Sequence, residues 1–145
     1  MTIHIKNIEQ QIAGMRQDWP LFRFRRGGRG SATWTGDVKP QFSKYRIEIR
    51  YVVGTMPQVR VLSPALIQIP DNEEGPLPHI YGPIEDPTLC LFDPANQEWN
   101  GSLLISQTIV PWSLDWLMYY EFWLMKKVWA GGGRHPGDTQ EQIQP

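Results

Sequence analysis

The sequence predicts an α+β domain: an N-terminal helix, a four-stranded antiparallel meander, a long irregular segment and a second helix. Three observations lead there. Apolar residues recur at helical spacing near the N-terminus. Side chains then alternate through several short segments. An apolar, tryptophan-rich run of helical length follows a proline-rich gap. At 145 residues the chain fits one domain that can bury a core without disulfides or metal. Residues 1–133 read as that domain and residues 134–145 as a polar tail.

The first helix is expected over residues 5–17, where Ile5, Ile8, Ile12 and Met15 form one apolar stripe. Gly14 lowers its propensity, and Trp19-Pro20 ends it, because a residue before proline avoids the helical region. "LFRFRRGGRGSATWTGDV" reads as a hairpin. Phe22 and Phe24 face one way and Arg23 and Arg25 the other, with the Gly27–Gly30 stretch as the turn. In "SKYRIEIRYVV" Tyr45, Ile47, Ile49 and Tyr51 line one face, and Lys44, Arg46, Glu48 and Arg50 the other. After "GTMP", "QVRVLSP" makes a fourth strand with Val59 and Val61 inward, which completes a meander with one polar face.

From Gln68 to Asn100 periodicity stops, and six prolines fill the stretch. A structureless segment that long is uncommon in a compact domain and is usually functional. The second helix is expected over Pro111–Trp129, with Pro111 at its first helical position or Ser113 as N-cap, and with Lys126 and Lys127 complementing the dipole at its end. Gly131–Gly133 would stop it. It is apolar nearly all round, so it is buried on more than one side or presents a sticky face.

Composition excludes several classes. With 14 basic and 15 acidic residues, nothing in the charge total argues for nucleic-acid binding. One cysteine forms no internal disulfide and no CxxC motif. The three histidines, His4, His79 and His135, show no metal-ligand spacing. The segment Ser102–Met125 is the one membrane candidate, but Pro111, Asp115 and Glu121 interrupt it. With no signal region at the N-terminus, a soluble, cytoplasmic chain in a reducing compartment is expected.

The lone cysteine, Cys90, lies inside the aperiodic segment, eleven residues after His79 and nine before Trp99. It is either a nucleophile or a small apolar residue under a loop. The neighbouring acids Glu85, Asp86 and Asp93 would disfavour a thiolate, which suits the receiver of an already activated acyl group better than a self-sufficient hydrolase.

The element order resembles the ubiquitin-conjugating enzymes. "TWTGDVKP" is similar to that family's W-x-G-x-x-x-P strand, and "YRIEIRYVVGTMPQVRVLSP" to its central hairpin. "HIYGPIEDPTLCL" is similar to the segment that runs from His-Pro-Asn to the catalytic cysteine, and Trp99 to the tryptophan beyond it. "PHIYG", "LCLFDP" and "EFW…VWAGGGRHP" look like the prokaryotic branch found in antiphage CBASS operons, here of the stand-alone kind.

The resemblance implies a ubiquitin-conjugating-like fold and a Cys90 thioester with a partner's C-terminus. It implies as cargo a cGAS-like nucleotidyltransferase, with or without a separate activating enzyme. No cofactor is implied, and neither G-x-G-x-x-G after a strand nor G-x-x-x-x-G-K-[ST] is present. The chain departs from the family at His79-Ile80-Tyr81, which stands where the family has His-Pro-Asn. In the family the asparagine amide steadies the oxyanion. Tyr81 would donate from its hydroxyl instead, or merely pack.

Other residues keep two readings. His79 pins the loop or acts as a base, and His135 folds back toward the cysteine or lies free in the tail. Asp93 or Glu98 orients an incoming amine or is a solvated loop acid. The arginines of "RFRRGGRG" hold an acidic partner or RNA, or form the solvent face of a hairpin. Trp112, Trp116 and Trp123 dock a partner or form core. Against the enzyme stand a non-catalytic docking module of the same fold and a cysteine hydrolase using His79 or His135.

Overall fold

A computed structural model describes residues 3–130. Helix α1 spans Ile8–Asp18, and its start is set by Asn7. The Asn7 side chain accepts from the Gln10 backbone N–H while the Gln10 side chain accepts from that of Asn7, a reciprocal capping box. Ile5 therefore stands before the helix rather than in its stripe, and its side chain packs on Gly101, where an added Cβ would lie 2.9 Å from it.

The meander is present in the expected order: β1 (Arg23–Arg26), β2 (Ser31–Val38), β3 (Tyr45–Val52) and β4 (Gln58–Ser63), all antiparallel neighbours. The register puts Phe24, Trp34, Ile49 and Val59 in one row across the sheet. Trp34, Ile49 and Val59 are buried. The row Arg23, Thr35, Glu48 and Arg60 lies on the opposite face, since successive side chains alternate. That face carries Arg46–Asp37 and Arg50–Glu48 ion pairs, both at 3.0 Å. β1 is an edge strand, and its exposed arginines discourage pairing with another chain.

Helix α2 spans Ile109–Lys126. It starts two residues before the expected Pro111, which the first turn accommodates because its missing N–H has no partner to lose there. Ser113 is not the N-cap; its hydroxyl donates to the Ile109 carbonyl at 2.7 Å inside the helix. The helix ends at Lys127 in the left-handed region rather than at the glycines, so Trp129 lies beyond it and folds back. The expected tail, residues 134–145, lies outside the described residues.

Two polar side chains lock the layers together. Gln11, fully buried in α1, donates to the Leu103 carbonyl and accepts from the Ile105 N–H. Glu121 of α2 accepts from the backbone N–H groups of Gln41, Phe42 and Ser43 and from the Tyr45 hydroxyl, all within 3.2 Å. Burial and this carboxylate hold the Tyr45 phenol well above its usual range. No described helix is long and apolar enough to cross a membrane.

Candidate active site

The segment that reads as aperiodic holds a small hairpin. β5 (Ile80–Tyr81) pairs antiparallel with β6 (Thr88–Leu89), Ile80 opposite Leu89 and Tyr81 opposite Thr88. Gly82, at φ +78°, and the Pro83–Asp86 turn reverse the chain between them. Extended by one pair, the ladder brings His79 against Cys90, whose N–H donates to the His79 carbonyl at 3.0 Å. The same carbonyl accepts from the indole Nε1 of Trp116, at 2.9 Å. His79 sits at φ +56°, a conformation histidine tolerates better than most residues, and its ring lies 5.0 Å from that of Trp129. Thus the backbone of His79 fixes Cys90 to both the hairpin and α2.

The Cys90 sulfur is partly buried and lies 3.2 Å from the Tyr81 hydroxyl. Burial pushes the thiol above its ordinary range. The Tyr81 hydroxyl works against this by donating to the thiolate, while the carboxylates of Asp93 and Glu98 add to the upward shift. Glu85 and Asp86 are not the acids that matter here: Asp86 pairs with Arg60 of β4 at 3.1 Å. Asp93 caps the short 3₁₀ turn Pro94–Asn96, its carboxylate accepting from the Ala95 N–H at 2.9 Å and its own N–H donating to Glu98 at 2.6 Å.

Two clefts flank the cysteine. The first, of about 310 Å³, has Cys90, Glu98 and Asp115 on its lining, with Trp112, Trp116 and Tyr119 from α2 as aromatic wall. Trp112, Asp115, Trp116 and Tyr119 stand at spacings of three and four, so one stripe of α2 faces this cleft. Asp115 is a candidate that the sequence reading passes over. The available signal was an acid in the first half of a mostly apolar helix. The second, of about 540 Å³, lies between the β3–β4 turn and the segment from Tyr81 to Phe92. Tyr81, Leu91 and Phe92 separate it from the sulfur.

The other expected residues divide. Trp123 is wholly buried and Trp116 is 4 % exposed, so neither is free to dock a partner; both are core, because α2 is covered on most of its circumference. Trp112 is half-buried and packs on Phe92 at 5.9 Å. His135 lies outside the described residues. Among the described residues no cluster of His, Cys, Asp and Glu has the arrangement of a metal site.

A helix, a four-stranded antiparallel meander, a cysteine-bearing loop and a second helix define a ubiquitin-conjugating-like protein. The family model of Type II CBASS E2 proteins matches residues 11–136, and the chain belongs to that family. No curated protein matches it.

Proposed function

We propose that Cys90 is the acceptor of an activated acyl group from the C-terminus of a partner protein, a cGAS-like nucleotidyltransferase, and passes it to an amine, so regulating antiphage signalling. The Cys90 thiolate attacks the activated carbonyl. A C–S bond forms, the activating group leaves with its electron pair, and a thioester results. An ammonium group gives one proton to water or a cleft carboxylate, and the neutral amine attacks the thioester carbonyl; the tetrahedral oxyanion collapses as the C–S bond breaks, the nitrogen's second proton goes to the departing thiolate, and an amide and the free thiol result.

The observation that carries this reading is the Tyr81 hydroxyl 3.2 Å from the sulfur. A donor there is within reach of an oxyanion two bonds from the sulfur, the role that an asparagine amide fills in the resembling enzymes. The thiol held above its usual range also fits a carrier charged by a strong acyl donor better than it fits a hydrolase. Glu98 and Asp115 beside aromatic walls suit a cationic amine as the incoming group.

The test is the intact mass of the tagged protein isolated from cells expressing its whole operon, beside Cys90→Ala. The expected result is a mass increase that needs Cys90 and is lost in both thiol reductant and hydroxylamine. Loss in reductant but persistence in hydroxylamine would mean a disulfide and overturn the thioester. A partner that co-purifies equally with both versions and adds no covalent mass would make this a docking module.

A further inference from the structure

Beyond α2 the chain turns back and sinks one ring into the molecule. Val128 is 59 % exposed and Ala130 is exposed, while Trp129 between them is only 8 % exposed. Its indole lies 5.0 Å from the His79 ring, 5.2 Å from Trp116 and 6.2 Å from Tyr119. A ring whose chain neighbours on both sides face water is seated by its own burial. Two hydrogen bonds add to that packing. The Trp129 backbone N–H donates to the Glu74 carboxylate at 3.2 Å, and Asn72 Nδ2 donates to the Lys127 carbonyl at 2.7 Å. Asn72 and Glu74 are themselves held in a turn, because the Glu74 N–H donates to the Asn72 side chain at 3.0 Å. The end of α2 is thus stitched to the segment that leads into His79.

What Trp129 covers is a strained residue. His79 stands at φ +56°, and a residue other than glycine stays in the left-handed region only where its surroundings dictate it. Trp129 packs on two parts of those surroundings. One is the imidazole ring, and the other is Trp116, whose Nε1 donates to the His79 carbonyl. That carbonyl also accepts from the Cys90 N–H at 3.0 Å. Relaxation of His79 to negative φ would swing its carbonyl relative to the chain before it and part it from Cys90. The sulfur would then lose its 3.2 Å contact with the Tyr81 hydroxyl.

We propose that Trp129 is a positioning residue for Cys90: its ring holds His79 in the left-handed conformation from which the His79 carbonyl fixes the cysteine backbone and sets the sulfur against the Tyr81 hydroxyl. Trp129 acts through His79 and not on the reacting atoms. Its part in acyl transfer rests on Cys90 being the acceptor, while the placement of the sulfur is tested without that reading.

The chain has one cysteine, so alkylation by iodoacetamide, read by intact mass, reports on Cys90 alone. The measurement is the pH at which its rate inflects, in the wild type and in Trp129→Ala, each with and without Tyr81→Phe. Asp93 and Glu98 act on the thiol in every background, so the difference made by Tyr81→Phe isolates the hydroxyl's contact. In the wild type that substitution is expected to raise the inflection by about one pH unit, the worth of one such hydrogen bond. In Trp129→Ala the rise is expected to fall below half of that. Trp129→Phe, which keeps a ring against His79, is expected to retain it. Thermal melts check that each variant folds, and Trp129→Leu, which leaves a smaller cavity, replaces the alanine variant if that one does not. Equal rises in both backgrounds overturn the assignment, as does the absence of any rise in the wild type.

Charging is followed with the acetyl thioester of mercaptoethanesulfonate. The Cys90 thiolate attacks the acetyl carbonyl, a new C–S bond forms, and mercaptoethanesulfonate leaves as the thiolate. Trp129→Ala is expected to charge about tenfold more slowly than the wild type, and no more slowly when Tyr81→Phe is added, because both remove the same oxyanion contact. A double variant slower by the product of the two effects overturns the assignment. If wild-type Cys90 takes up no more acetyl group than Cys90→Ala acquires, the acceptor reading falls, and the alkylation series still decides whether Trp129 places the sulfur.

Discussion

The Cys90 thiol sits between opposing influences of known sign. Burial, Asp93 and Glu98 favour the protonated form, and the Tyr81 hydroxyl favours the thiolate. Alkylation by iodoacetamide should therefore rise with pH through an inflection above that of an ordinary thiol. Tyr81→Phe removes the donor and moves the inflection higher. Glu98→Gln removes a negative charge, keeps an oxygen for the Asp93 N–H, and moves it lower. Identical inflections in the Tyr81→Phe and wild-type proteins would show that the hydroxyl does not touch the thiolate in solution. The sequence singles out Cys90 and Tyr81 as a lone cysteine and an altered triplet, and names Asp93 and Glu98 as nearby acids with two readings each. That both carboxylates act on the thiol in the same direction follows from their placement around the sulfur, which no spacing rule shows.

At the level of elements, α2 does two jobs on two faces. One stripe lines the cleft, and another carries Glu121, which holds the β2–β3 connection through four hydrogen bonds. Removing a buried acceptor of that kind leaves several donors unmatched. Glu121→Ala should cost about 3 kcal/mol, which is on the order of 10 °C in Tm for a domain of this size. Glu121→Gln should cost less, since its carbonyl still accepts. A thermal melt with no shift in the alanine variant would show that the connection is held by other contacts. The β5–β6 hairpin is the element that periodicity could not reveal. Two-residue strands are too short to alternate, and they exist because Gly82 and the Pro83 turn reverse the chain beside β4.

Across the whole molecule, the two clefts differ in lining: Glu98 and Asp115 lie on one, and no described acidic residue lies on the other. Asp115→Asn should leave charging of Cys90 untouched. It should slow discharge to lysine several-fold, mainly through a weaker KM for the amine, because the carboxylate attracts the ammonium before it reacts. Single-turnover discharge followed over a range of lysine concentrations separates the two; a fall in charging rate instead would tie Asp115 to acyl acceptance by Cys90. The arginines Arg23 and Arg25 lie on the outer face of the edge strand, away from this division, and read as solvated charge.

The order of elements, the inward faces of the strands and the cysteine were legible in the residues. Alternation and helical spacing follow from local backbone geometry, and burial on one face of each element enforces them. The edges of α2 were misplaced because its ends are set by Thr108 and by Lys127 in the left-handed region, not by the proline and glycines that usually mark them. Trp116 and Trp123 became core, and Asp115 a candidate site residue, only through packing, since a helix apolar all round does not announce which face is covered. The pairing of His79 with Cys90 and the Tyr81 hydroxyl at the sulfur depend on a hairpin too short to show periodicity, and the contrast between an acidic and an apolar cleft depends on residues far apart in the chain. Folding brings their side chains together across elements, and no local rule encodes those distances.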